Sequence, residues 1–224
     1  MYAPARQMFD LAHGFDQALR LGPKAFVSEY AVTGPDANIG TLLAAAGEAA
    51  FLVGLENNSD LVEMASYAPL FTNVNDRMWN PDAIPYNSSH SYGTPSYYMQ
   101  QFFIESNGAT LLTSTLDSGA SDFIANAILW NDTKTEFLRI KTVNFESAPV
   151  SLAIHVDGIQ SGSIGSSATK TELTSANVMD ENSLDQPTKI VPMKTDLELI
   201  SGQDSILVVS PNSITSIDFV VGSV

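Results

Sequence analysis

Glu29 stands where an apolar run gives way to polar residues. Residues 24–34 read KAFVSEYAVTG: Ala25, Phe26 and Val27 lead to a carboxylate held between Ser28 and Tyr30. The run predicts a short buried strand over 24–29, and Gly34-Pro35-Asp36 stops it. A carboxylate at a strand exit can act as nucleophile, general base or metal ligand. In a parallel α/β barrel the carboxyl ends of the strands carry the chemistry. The plain alternative is an acid salt-bridged to Lys or Arg at the rim. Other acids are less pointed. Glu63 comes early in the next strand, where a structural role is expected. Glu48 lies mid-helix among alanines, where a buried or surface salt bridge is the default. Asp76 and Asp82 follow the second strand, on the face of Glu29, where they touch a ligand or are simply solvated. His13 and His155 fall on polar faces, and His90 sits in the turn SSHSYG, within possible reach of the site. There is no HExxH, no Gly-rich phosphate loop and no serine nucleophile elbow, so neither a metal nor a cofactor is expected.

Glu29 needs elements to hold it. Pro4 opens a helical pattern with Met8, Leu11, Ala12, Phe15 and Leu19 on one face, ended by Gly22-Pro23. After strand 24–29, a helix is predicted over 41–56 (TLLAAAGEAAFLVGLE), then an apolar strand over 61–67. Thr94-Pro95 is a cap followed by a first-turn proline, and opens a helix that stops at Asn107-Gly108. Helices alternating with short strands are the grammar of a parallel α/β sheet. A helix as first element hints that an upstream strand is missing. Past residue 108 the period changes from that of helix to that of strand. VSLAIHVDG alternates, with Val150, Leu152, Ile154 and Val156 on one face. DFIANAILWN, TEFLRIKTVNF, DSILVVS and SITSIDFVV are further strands, and 158–188 reads as an extended polar loop with a short strand inside. This predicts an antiparallel sandwich.

Composition narrows the partners. Hydrophobic residues make up 44% of the chain and charged ones 16%, a globular balance. The net charge of −15 repels nucleic-acid phosphates and anionic membranes, so neither partner is expected. There is no cysteine, hence no disulfide or thiolate chemistry. No apolar run is long enough to span a bilayer, and the first residues do not read as a signal peptide. N-x-[ST] sequons at Asn57, Asn87 and Asn131 are candidate N-glycosylation sites.

GPKAFVSEYAVTG, VEMASYAPLF, NDRMWNPDAI and YGTPSYYMQQFF, followed by LLTSTLDSG and TSANVMDENS, resemble the C-terminal part of family 51 glycoside hydrolases, the α-L-arabinofuranosidases, in their plant form. The resemblance covers nearly the whole chain. It implies the last strands and helices of a (β/α)8 barrel over 1–107, followed by an antiparallel β-sandwich over 108–224. It implies retaining hydrolysis of non-reducing terminal α-L-arabinofuranosyl residues of arabinans, arabinoxylans and arabinogalactans, in the cell wall outside the cell. Glu29 then matches the nucleophile at the end of barrel strand seven, and 61–67 matches strand eight. Tyr2 matches the tyrosine of the family's His-x-Tyr motif at the end of strand six. Neighbouring strands share one exit face, so loop 72–82 is expected beside Glu29, with Tyr30, Asn73, Asn75, Trp79, Asn80 and Asp82 lining a sugar pocket. Trp79 is then a stacking platform or a core tryptophan.

One part of the pattern has no counterpart. The family's acid/base is a Glu in an Asn-Glu pair at the end of strand four, and the chain begins after it. A retaining glycosidase needs two carboxyls about 5–5.5 Å apart. The chain alone is therefore expected to be inactive. A non-catalytic carbohydrate-binding module or pseudo-enzyme is the alternative, and a structural sandwich without ligand is the third reading.

Overall fold

A computed structural model describes residues 1–117, 119–157, 167–198 and 205–223. The chain opens with a two-residue strand β1 (Tyr2–Ala3), helix α1 (Ala5–Asp10) and a 3-10 turn (Leu11–His13). Strand β2 (Ala25–Val32), helix α2 (Leu42–Asn57) and strand β3 (Val62–Tyr67) follow. These strands form a three-stranded parallel sheet in the order β1-β2-β3. Where an upstream strand was expected to be missing, the two residues of β1 precede the first helix. Among the described residues there is no eight-stranded barrel.

The first helix is shorter than its sequence pattern. It tightens into the 3-10 turn, and Gly14 N–H closes onto the Leu11 carbonyl. Leu19 is then 85% exposed. Its spacing was helical, but Arg20 draws the chain into a turn by donating to the Phe15 and Ala18 carbonyls.

Helix α2 is apolar all round, and it is buried all round, as such a helix must be. Thr41 Oγ1 accepts the Ala44 N–H and caps its start. At the far end Asn58 Nδ2 donates to the Gly54 carbonyl and to Asp16. α1 and the 3-10 turn after it pack so close that Gly47 and Gly54 have no room for a side chain.

After β3 come the short parallel pair β4 (Phe71–Asn73) and β5 (Ile84–Tyr86), with a 3-10 turn Val74–Asp76 between them. Helix α3 (Pro95–Gln100) starts at its Thr94 cap, as the Thr-Pro pair predicts, and runs on as 3-10 helix to Ser106.

The remaining strands are antiparallel: β6 (Thr110–Leu111), β7 (Phe123–Asn131), β8 (Thr135–Asn144), β9 (Val150–Ile154), β10 (Ser167–Thr174), β11 (Met193–Glu198), β12 (Ser205–Val209) and β13 (Ser213–Ser223). They make a six-stranded sheet, β11-β10-β13-β8-β7-β6, and a two-stranded sheet, β12-β9. Residues 158–166 of the expected polar loop lie outside the described residues, and its internal strand is β10. Strand β11 had no apolar signal. It is an edge strand, largely exposed, with Lys194, Asp196 and Glu198 along it, and charge is what such an edge tolerates.

Two apolar cores result. One surrounds α2 and takes in Ile124, Val143, Leu173 and Ile214 from the six-stranded sheet. The other, around Leu138, Ala168, Ile217 and Phe219, lies between the two antiparallel sheets, with Ile154 and Leu207 against it. One face of the large sheet thus packs on α2 and its other face on β9 and β12.

Candidate active site

Glu29 is the fifth of the eight residues of β2, so the strand does not end there. It continues because Ala31 and Val32 pair with Tyr2 and Ala3 of β1 and are fully buried. The sequence-based exit at residue 29 is corrected by three residues. What sets the direction of Glu29 is a break in register. Val27 pairs with Ala65 and Tyr30 with Tyr67, so Ser28 and Glu29 together stand opposite Ser66. Strict alternation from Phe26 and Ser28, both exposed, would turn Glu29 toward the helices. The bulge keeps it on the open face with them, and Tyr30 turns inward.

On that face Tyr2 Oη donates to Glu29 Oε2 at 2.8 Å. Partial burial, then the hydrogen bond and charge of Glu29, push the Tyr2 phenol up to about 12, so it keeps its proton and remains a donor. Trp79 meets Tyr2 edge-on, ring centroids 6.1 Å apart. It is 53% exposed, not a core residue. Trp79, Tyr2 and Glu29 therefore follow one another across one face, and loop 72–82 does reach the Glu29 neighbourhood.

The other sequence-predicted residues divide. Asn73 Oδ1 accepts the Asn75 N–H and shapes the 3-10 turn; both are exposed. Arg77 Nη1 donates to Asn80 Oδ1 at 2.8 Å and to Asp82 Oδ2 at 2.7 Å. Asp82 is 1% exposed, so it anchors the loop from beneath and is not a solvated loop acid. Burial pushes its carboxyl up to about 6 against the opposing pull of Arg77. Tyr30 is buried against Phe51 and Tyr67, in the layer between sheet and α2, away from the open face. Glu63 is exposed, 4.0 Å from Lys24. His13 and His155 pair with Asp16 and Asp157 at the surface, and His90 bonds Ser89 within its turn. Asn57 and Asn131 are exposed, while Asn87 is half-buried and accepts the Ser89 and His90 N–H groups. No group of three or more potential metal ligands occurs among the described residues.

Sequence reasoning missed Arg77, which organises the loop, and misjudged Glu48. Glu48 is fully buried, and no cation pairs with it among the described residues. Its Oε1 accepts the Val32 N–H at 2.8 Å. The signal for an uncompensated acid was there: a carboxylate in the middle of an Ala/Leu helix with no Lys or Arg anywhere in it.

Residues 28–213 match the alpha-L-arabinofuranosidase C-terminal domain. The chain is 55% identical over 219 residues to alpha-L-arabinofuranosidase 1 of Arabidopsis thaliana, covering 97% of this chain and 32% of that protein. It is 53% identical over 223 residues to alpha-L-arabinofuranosidase 2 of the same plant, 33% of whose length it spans. Among solved structures it resembles the arabinose-bound MgGH51 α-L-arabinofuranosidase, with a TM-score of 0.85 and 27% identity over 99% of this chain and 36% of that one. The chain therefore spans well under half the length of these relatives, and it belongs to the alpha-L-arabinofuranosidase C-terminal domain family.

Proposed function

We propose that this chain is the closing segment of a retaining α-L-arabinofuranosidase that removes non-reducing terminal arabinofuranosyl residues from cell-wall arabinans, arabinoxylans and arabinogalactans outside the cell. Glu29 is its nucleophile. It attacks the anomeric carbon and forms a covalent glycosyl-enzyme, which water then hydrolyses with help from a second carboxyl. Tyr2 holds the attacking carboxylate by its hydrogen bond, and Trp79 offers a ring to the sugar. The observation that carries this reading is the string Trp79–Tyr2–Glu29 on one open face of a parallel sheet.

The sheet supports the further reading that β1, β2 and β3 are strands six, seven and eight of a (β/α)8 barrel, with residues 108–224 as the sandwich that follows. β1 and β3 are open edges. Phe26 and Met64 are 54% and 55% exposed, a costly arrangement for a finished sheet face. The missing acid/base belongs to the strands that would cover that face. Such assistance is typically worth about 10²–10⁴-fold, so the 224-residue chain alone turns over little or nothing.

The test joins this chain to the upstream two-thirds of the Arabidopsis alpha-L-arabinofuranosidase 1, to which it is 55% identical. Hydrolysis of p-nitrophenyl α-L-arabinofuranoside by the chimaera, lost in Glu29→Ala and partly restored by azide, is the expected outcome. Undiminished turnover in Glu29→Ala removes Glu29 as nucleophile. Substantial turnover by the isolated chain shows that the upstream carboxyl is dispensable.

A further inference from the structure

Beneath the face that carries Glu29, four buried side-chain oxygens make no hydrogen bond of acceptable geometry: Glu48 Oε2, Tyr67 Oη, Ser96 Oγ and Asp82 Oδ1. They come from α2, from the end of β3, from the first turn of α3 and from the segment leading into β5. They are electrostatic neighbours. The Ser96 hydroxyl is near enough to favour the ionised forms of both Glu48 and Tyr67, and the charges of Glu48 and Asp82 both act on Tyr67. A buried polar atom without a partner costs about 1–3 kcal/mol. Several in one seam call for an account.

The protonation state of Glu48 supplies one. Its Oε1 already accepts the N–H of Val32, the last residue of the strand that carries Glu29. As a carboxylate, its other oxygen is acceptor-only and the group is a bare charge with no cation beside it. As a carboxylic acid, Oε2 carries a donor hydrogen. The hydroxyls of Ser96 and Tyr67 each donate and accept, so a small rotation lets them complete a chain started by that hydrogen. The neutral acid then connects the end of β2 to the end of β3 and the start of α3.

We propose that Glu48 is a positioning residue for the Glu29 site: as a neutral carboxylic acid it ties the ends of β2 and β3 to the start of α3, and its ionisation loosens the face that carries Glu29, Tyr2 and Trp79. The name of the site rests on the reading of Glu29 as nucleophile, but the tie does not.

The groups that face Glu48 are Tyr30 from β2, Tyr67 from β3 and Ser96 from α3, with Asp82 and then Arg77 beyond Tyr67. Burial holds both tyrosines well above their ordinary value, so they stay neutral while Glu48 titrates. Burial also pushes Glu48 from its ordinary value of 4.5 up to about 8, outweighing the nearby Ser96 hydroxyl and the Val32 N–H. A carboxyl whose folded value is raised contributes stability that is present below its unfolded value and lost as pH rises through the folded one. The loss runs from 4.5 to about 8 for Glu48 and from 3.8 to about 6 for Asp82, so between about 6 and 8 only Glu48 still contributes.

The experiment uses the 224-residue chain. Infrared spectra follow the un-ionised carboxyl band, calorimetry follows Tm, and Trp79 emission is read in a Trp130→Phe background, since the chain has two tryptophans. Wild type is expected to keep one un-ionised carboxyl at about pH 7, where exposed carboxylates have ionised. That band and Trp79 emission should change together around pH 8, the value to which Glu48 is raised, and Tm should fall between about pH 6 and 8 and level off above it. In Glu48→Gln all three changes should vanish, and in Glu29→Gln all should persist. Absence of the band at neutral pH overturns the proposal. So does Trp79 emission that ignores the titration, or a transition that survives Glu48→Gln. Should Glu48→Gln fail to fold, the coincidence of band and emission in wild type decides. Loss of the nucleophile reading in the chimaera leaves these readouts untouched.

Discussion

Glu29 is held by one side chain, and Tyr2 is chosen for the task by its chemistry. A phenol pushed up to about 12 keeps its proton, so Tyr2 stays the donor in the contact to Glu29 Oε2, a charge-assisted hydrogen bond when the acceptor is a carboxylate. Such bonds are worth about 1.5–3 kcal/mol. If Tyr2 orients the attacking oxygen, Tyr2→Phe in the chimaera lowers kcat about ten- to hundredfold and leaves Tm nearly unchanged. The partly exposed position of Tyr2 makes a folding defect a poor explanation for such a loss. An unchanged kcat would show that the hydrogen bond is not used. Trp79 and Asp82 show how residue type alone misleads. One aromatic is exposed and one loop acid is buried, because Arg77 pulls Asp82 inward and leaves Trp79 at the rim.

At the scale of elements, α2 sets the geometry. The parallel sheet, α1 and the large antiparallel sheet all pack against it. Its two glycines permit the closest of these approaches. A Cβ at Gly54 would lie 1.9 Å from the Ala12 carbonyl oxygen, and one at Gly47 would lie 2.6 Å from that of Ala5. Alanine is the better helix former by about 1 kcal/mol. Here the obstacle is backbone, which no rotamer change relieves, and overpacking typically costs about 1–3 kcal/mol, occasionally more. Gly54→Ala should therefore lower stability by urea unfolding, against its helix propensity. A neutral or stabilised variant would mean that α1 and the turn after it lie further from α2. The small residues of α2 and the helical pattern after Pro4 were both visible in the sequence, but not that the two lie against each other.

At the scale of the molecule, the parallel and antiparallel parts are joined by charge as well as by apolar packing. Lys141 of β8 is 2% exposed. Its Nζ donates to Glu56 at the end of α2 and to Ser106 after α3, and it lies 4.6 Å from the Phe103 ring centre. Asn126 of β7 donates to the other Glu56 oxygen. Close by, Arg139 bridges Glu105 and Asp218. Burial lowers the Lys141 ammonium, and Glu56 opposes that shift. Removing one member of a buried pair strands the other, at about 3–5 kcal/mol. Lys141→Met is thus expected to cost about that much, and Lys141→Met with Glu56→Met less than the sum of the two single changes. Additive costs would show that the two charges do not act as a pair.

The sequence by itself determined the periods, and the periods were enough for element types. An apolar run bounded by Gly-Pro reads as a strand, an Ala/Leu run with a Thr cap reads as α2, and the alternation of 150–156 places Leu152 and Ile154 together. These are local properties of the chain, set by steric preference and by which faces must leave water. Family likeness then singled out Glu29. The direction in which Glu29 points could not be read this way. Periodicity from Phe26 and Ser28 sends it toward the helices, and only the two-for-one match of Ser28 and Glu29 against Ser66 turns it outward, because a bulge is a property of two paired strands. The same limit hid the unpaired Glu48 oxygen, the inward turn of Asp82 and the edge strand β11, although the lack of Lys or Arg in α2 was visible. Each depends on a partner distant in sequence, or on the lack of one, and that is decided only when the chain has packed.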